Sequence, residues 1–401
     1  MKQHTKAARF LLLGLVACST ADAQQDSGST RGTGASRYST QRKASAATPT
    51  TAAPTTVAST TTAAAQMGTV APQLPVAPLS PTAARPVNVG SQTLLKIVAT
   101  RKGYVAYRGD DDRLALLDAA FATTPLRPAR GPLRLLTDGS RVWMASKAGL
   151  ERVVPGKAGK PLRAGNLTQA VLAVPYIYWA ECPEAQPCTI GRTDLRANTS
   201  ELITKTRFDI VNDLAVGKDA VWVAGRHRDQ REGRPETLST EEKHAAAQWL
   251  LAAGGNELPR GAIYPPGFLA RIDAQGNATF TAFPTQRPVA VEADGDSVLV
   301  LTEGTPRNMF SDGVLFRIEP DRSWTPLATN LPMPEKLVAN PQRICWTAMP
   351  ARRFEIACWN RASKSAQTLV SEEWNVLDYL DEGPTLVYSV LTKGTFRLQL
   401  E

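Results

Sequence analysis

Between Val98 and the C-terminus the chain writes one pattern seven times: a short apolar strand, a polar turn, then a second strand built on four residues. The copies read Val105-Ala106-Tyr107-Arg108, Val142-Trp143-Met144-Ala145, Ile177-Tyr178-Trp179-Ala180, Val221-Trp222-Val223-Ala224, Val298-Leu299-Val300-Leu301, Cys345-Trp346-Thr347-Ala348 and Val387-Tyr388-Ser389-Val390. The first is the most degenerate. A β unit recurring at a fixed period makes a solenoid or a propeller, because a single unit cannot bury its apolar surface alone. The units begin near Leu94, Leu133, Gln169, Ile210, Arg287, Lys336 and Val376. With one long insertion set aside, a spacing of about 40 residues matches a four-stranded blade. The expected fold is therefore all-β, a propeller of seven four-stranded blades, with six and eight as the neighbouring counts.

In the fourth unit the strands fall at Leu214–Val216 (A), Ala220–Ala224 (B), Leu269–Asp273 (C) and Ala278–Ala282 (D). Asp273–Gly276 and Glu319–Arg322 carry the turn residues that C–D connections need. The last unit stops after its C strand, Thr395–Leu400. A blade lacking its outer strand exposes an edge, so Val87–Gln92 is expected to pair there and close the ring. An aromatic side chain at the same strand position in blade after blade is best read as packing between blades, since each ring buries a large apolar area.

The N-terminus sets the compartment. Lys2, Lys6 and Arg9 precede a short apolar run from Phe10 to Ala17, the layout of a secretory leader too short to cross a bilayer. Leu15-Val16-Ala17-Cys18 resembles the bacterial lipobox, which implies a leader over 1–18, a diacylated Cys18 and a mature chain anchored by lipid. Ser19 next to it points, by the same resemblance, to the outer membrane. Ala21-Asp22-Ala23 is a competing cleavage site, which would discard Cys18 and release a secreted or periplasmic protein. Residues 19–88 are rich in Ser, Thr, Ala and Pro and too poor in apolar residues to offset ordering entropy, so a disordered tether is expected ahead of a propeller over 89–401. About 65 such residues reach roughly 45 Å.

The chain carries 46 Lys+Arg against 37 Asp+Glu. Three of the positive charges leave with the leader, so the surplus is mild, and export argues against a nucleic-acid partner.

Apart from Cys18 there are four cysteines, an even number for an exported chain in which disulfides persist. Cys345 and Cys358 flank the B–C turn of blade six. Folding that hairpin about its midpoint sets Ala348 opposite Glu355 and Cys345 opposite Cys358. Cys182 and Cys188 bracket the equivalent turn of blade three. Both pairs lie within disulfide reach, and neither has the further soft ligands a zinc site requires.

Every conspicuous elaboration is a B–C connection: the insertion 226–266 in blade four, Glu303–Asp312 in blade five, and the cysteine turns of blades three and six. Long loops on a rigid scaffold tend to carry function. Within the insertion Ser239–Glu242 is a capping box, Ala246, Trp249, Leu250 and Ala253 form an apolar stripe, and Gly254-Gly255 ends the expected helix. Arg226, Arg228, Arg231 and Arg234, with Arg307, Arg352 and Arg353 from neighbouring loops and Trp249 from the helix, make a candidate basic binding surface; the arginine fork suits carboxylate or phosphate. Asp110–Asp112 lacks the spaced ligands and glycine of a calcium loop and is read as a polar turn. Asp138, Asp213, Glu292 and Asp378 lie on inner strands and are candidates to approach a central channel, although strand-end solvation is their plainer reading. No nucleophile elbow, zinc motif or phosphate loop is present, His227 and His244 both fall in the insertion, and neither a catalytic residue, a cofactor nor a metal is expected.

Gly267-Phe-Leu-Ala-Arg-Ile-Asp-Ala-Gln-Gly276 and Gly313-Val-Leu-Phe-Arg-Ile-Glu-Pro320 resemble segments of extracytoplasmic propellers of the YVTN/NHL-like type. That resemblance, at the level of fold over about Leu94–Leu400, implies a lipid-anchored, non-catalytic binding or scaffold module of the cell envelope that works through its B–C face. A propeller lactonase or lyase with a channel metal, and a binder of anionic polysaccharide, are the alternatives.

Overall fold

The computed structural model describes residues 85–400 except 130, 158, 160, 185, 228–230, 234–261, 265–266, 284–285, 305–312, 322 and 351–352. Cys18, the leader, the tether and the helix expected from Ser239 lie outside the described residues. Within them there is no helix, and the chain forms seven four-stranded antiparallel sheets arranged as the blades of a propeller.

The inner A strands begin at Leu94, Arg134, Leu167, Ile210, Arg287, Leu337 and Val376, each within two residues of the start expected from the repeat. The seventh blade is composite: Val376–Asp381, Thr385–Val390 and Gly394–Gln399 are joined by Val87–Gly90, whose Val87 faces Arg397. The expected closure by the N-terminal segment is therefore present. Gly394 holds φ at +103°, and a Cβ there would stand 2.3 Å from the carbonyl oxygen of Gly90, so this close crossing requires glycine.

Each blade buries both faces, which explains why its B strand reads as a continuous apolar run and does not alternate. A separate hydrophobic cluster fills every one of the seven blade-to-blade interfaces, including that between blades seven and one. Trp143 and Trp179 share the cluster between blades two and three, Trp346 lies between five and six, and Tyr388 between six and seven. The repeated aromatic residues are packing, as expected. Trp179 makes the point at atomic level. A Cβ on Gly191 would come within 2.2 Å of its ring, and the Arg163 guanidinium lies over that ring at 3.6 Å from its centre.

Both disulfides form, Cys182–Cys188 and Cys345–Cys358. The register of the second hairpin is the expected one, with Cys345 opposite Cys358 and Ala348 opposite Glu355. Asp110–Asp112 is a B–C turn, and its carboxylates have protein partners: Arg108 binds Asp110 at 2.6 Å and the Tyr107 hydroxyl donates to Asp112 at 2.5 Å.

Candidate functional site

The inner strands of blades one, three, four, five and seven share one irregularity. Pairing with the B strand slips by one residue near the start of each, between Leu94 and Lys96, Leu167 and Gln169, Val211 and Asp213, Pro288 and Ala290, and Val376 and Asp378. A bulge bends the strand and re-aims the side chain that follows it. The residue after the bulge is polar in four of these blades, and Lys96, Asp213 and Asp378 line a central cavity of about 480 Å³. The rest of its charged wall is Arg134, Glu292, Glu335 and Lys336, interspersed with apolar side chains such as Val289, Leu337 and Leu380. Most of the charged residues stand at or just before the first half of the inner strands, with Glu292 further along Arg287–Asp294. That end of the channel carries the D–A and B–C connections, so the cavity shares a face with the elaborated loops.

Two aspartates organise the wall in the same way. Asp213 of blade four accepts the backbone N–H of Val291 in blade five at 3.1 Å and is ion-paired to Arg134 of blade two. Asp378 of blade seven accepts the N–H of Ile97 in blade one at 2.8 Å and is ion-paired to Lys336. Lys336 also donates to the carbonyl of Tyr379 and lies over its ring at 4.4 Å. Each aspartate thus fixes two blades and one cation. Burial raises the Asp213 carboxyl despite Arg134, and burial lowers the Lys336 ammonium despite Asp378.

Of the four acids expected near the channel, three are there and one is not. Asp138 sits in the A–B turn of blade two, at the opposite end, held by Arg141 at 2.8 Å and by Ser140. Nor are Asp213 and Asp378 solvated strand ends; both are buried, at 6% and 4% exposure. The bulge accounts for the burial of Asp213 and Asp378, because it turns inward a side chain that a regular strand would direct into the blade interface; Asp138 lies just beyond the end of its strand, Arg134–Thr137. Burial pushes the Glu292 carboxyl up to about 7, with the neighbouring Asp213 adding to the effect.

The expected arginine surface is described only in part. Arg226 ends the B strand of blade four and is half-buried. Arg353 is exposed but donates to the Ser371 hydroxyl at 2.8 Å and to the Ser371 carbonyl at 3.1 Å within its own blade. Arg231 lies in a two-stranded ribbon with Tyr264 opposite it. Arg228, Arg234, Trp249, Arg307 and Arg352 fall outside the described residues. At the root of the insertion His227 Nδ1 lies 3.0 Å from the Asp209 carboxylate. Among the described residues no group of three or more His, Cys, Asp or Glu is arranged to hold a metal ion.

Several solved structures share this architecture. Virginiamycin B lyase from Staphylococcus aureus is 13% identical, with 79% of this chain and 99% of that one covered and a TM-score of 0.54. A streptogramin B lyase is 12% identical over 79% of this chain and 97% of that one, again at 0.54. Hydrazine synthase of Kuenenia stuttgartiensis is 10% identical over 78% and 97%, at 0.53. The likeness is one of fold. No protein-family model matches the chain, and no curated protein matches it in sequence.

Proposed function

We propose that this chain is a non-catalytic binding module of the cell envelope, anchored by lipid at Cys18, which takes its partner on the B–C face. One observation carries the reading: the cavity lies towards the end of the propeller at which the strands flanking the long B–C connections end and begin, at Arg226 and Gly267 and at Glu303 and Gly313. A rigid ring presenting long loops around a charged depression is a common design for recognition. The wall contains neither histidine nor cysteine, and two of its four acids are committed to Arg134 and Lys336, which favours binding over the lyase or lactonase alternative.

The test places a photo-crosslinking residue at Arg353 or Asp110, on the B–C side, and at Ser140 or Asp296, on the A–B side, in cells. A discrete adduct from the first pair alone is expected, and the same species should bind when both proteins are purified. Equal adducts from both ends, or from the A–B end alone, would refute the assignment of the face. In parallel, Cys18→Ala should move the protein out of the membrane fraction. For the glycan alternative, the decisive result is salt-sensitive retention on an anionic polysaccharide that disappears when Arg226, Arg228 and Arg231 become Ala.

A further inference from the structure

Once the internal pairs of the cavity are matched, one charge is left over. Arg134 is committed to Asp213, and Lys336 to Asp378. The positive charges of Lys96 on blade one and Arg287 on blade five both favour the ionised form of Glu335. Glu292 has no hydrogen-bond or ion-pair partner among the described residues. Its carboxyl nevertheless interacts with groups on three other blades: Asp213 on four, Arg134 on two and Tyr379 on seven. All four residues line the central cavity together. The strand of Glu292 adds Asp294, which is already held by Arg361 at 2.7 Å.

We propose that Glu292 is the recognition carboxylate for a small organic cation, a protonated amine or guanidine with a short apolar body, bound in the central cavity. The site has three matching properties. It offers an uncompensated carboxylate beside a second acid, Asp213. It has apolar wall at Val289, Leu337 and Leu380 for the ligand's carbon chain. Its volume of about 480 Å³ is within the range of small-ligand pockets and too small for a folded partner. A hard metal ion fits less well, because it needs several free oxygens, whereas those of Asp213 are taken by Arg134 and the Val291 N–H. An ammonium needs one carboxylate and tolerates the apolar wall. The raised carboxyl is consistent with this: a bound cation would supply the counter-charge that Glu292 lacks in the free protein. The inference rests on this end of the channel being the working end, and needs neither the lipid anchor nor the loop partner. Amine binding and the loop crosslinks therefore stand or fall separately.

The experiment is isothermal titration calorimetry of the purified chain with hexylamine, cadaverine and agmatine, using 1-hexanol and hexanoate as neutral and anionic controls. At least one amine should bind at one-to-one stoichiometry, more tightly at pH 8 than at pH 6, while neither control binds. Glu292→Gln should weaken that amine at least tenfold. A second measurement is independent of any variant: at pH 7, titrations in buffers of different ionisation enthalpy should show a fraction of a proton released on binding, as Glu292 gives up its proton to pair with the cation. Absence of binding by all three amines to millimolar concentration overturns the proposal. So do unchanged affinity in Glu292→Gln, zero proton release, or tighter binding of hexanoate.

Discussion

Asp378 in the last blade accepts the backbone N–H of Ile97 in the first at 2.8 Å, so the ring is joined at the channel as well as at its outer rim. The bond has a counterpart in Asp213 and Val291, between blades four and five. In both, the same carboxylate also neutralises a cation, so removing it leaves a donor and a charge unmatched.

Asp378→Ala is expected to lower stability by about 2–4 kcal/mol, since the Lys336 side chain is 36% exposed and the loss falls below that for a fully buried pair. Asp378→Asn retains an acceptor for Ile97 and should cost less. Adding Lys336→Met to the Asn variant should recover part of the loss. Urea unfolding of the three proteins measures this, and an Ala variant as stable as the parent would contradict the role given to Asp378.

The titration of Glu292 sets a slope of stability with pH. An unfolded glutamate releases its proton near pH 4.3, whereas in the folded chain the proton is held until about 7. Across that window the folded state binds the extra proton, so this group's contribution declines as pH rises, by on the order of 1–3 kcal/mol. Glu292→Gln should flatten the profile and be more stable than the parent at pH 8. Parallel profiles from pH 5 to 8 would rule this out.

Deleting residues up to Gly90 removes the outer strand of blade seven and exposes the edge Gly394–Gln399. Val87 is 61% exposed, so the strand contributes mainly ladder hydrogen bonds, worth about 1 kcal/mol each. A loss of about 2–4 kcal/mol is expected, together with self-association at the open edge. Denaturant unfolding and size-exclusion chromatography of the truncated protein provide the check.

The two disulfides should yield to reductant in order. Cys345 and Cys358 are buried, at 0% and 1% exposure, whereas Cys182 is half-buried on a turn. Under mild dithiothreitol, alkylation followed by peptide mapping should label 182 and 188 first. Closing separations of 6 and 13 residues, the bridges should each contribute about 2–3 kcal/mol.

Much of the ring was legible in the chain because the signal is periodic. Strands buried on both faces must repeat Val-Trp-like runs, and a hairpin of known turn fixes which cysteine meets which. The closing strand could be inferred from a blade that ended one strand short. The channel was harder to read. Lys96, Arg134 and Lys336 are single cations beside apolar strands, with nothing local to distinguish them from solvated strand ends. Lys96 is turned inward by the bulge near the start of its strand, a departure from register that leaves no residue signature, whereas Arg134 and Lys336 come from unbulged blades and are drawn in by the carboxylates of Asp213 and Asp378. Asp138 shows the converse: its place beside Ser140 and Arg141 marks it as a turn residue, and an inner-strand assignment overlooked that.

The composite seventh blade also has a mechanical meaning. Because Val87–Gly90 is the outermost strand of that blade, any tension transmitted through the chain upstream of it is felt first by the ladder to Gly394–Gln399. Force would strip that strand before it reached any other blade, leaving six blades intact and the seventh with a bare flank. The seam of the ring would then act as a fuse between whatever holds the N-terminus and whatever the opposite face grips.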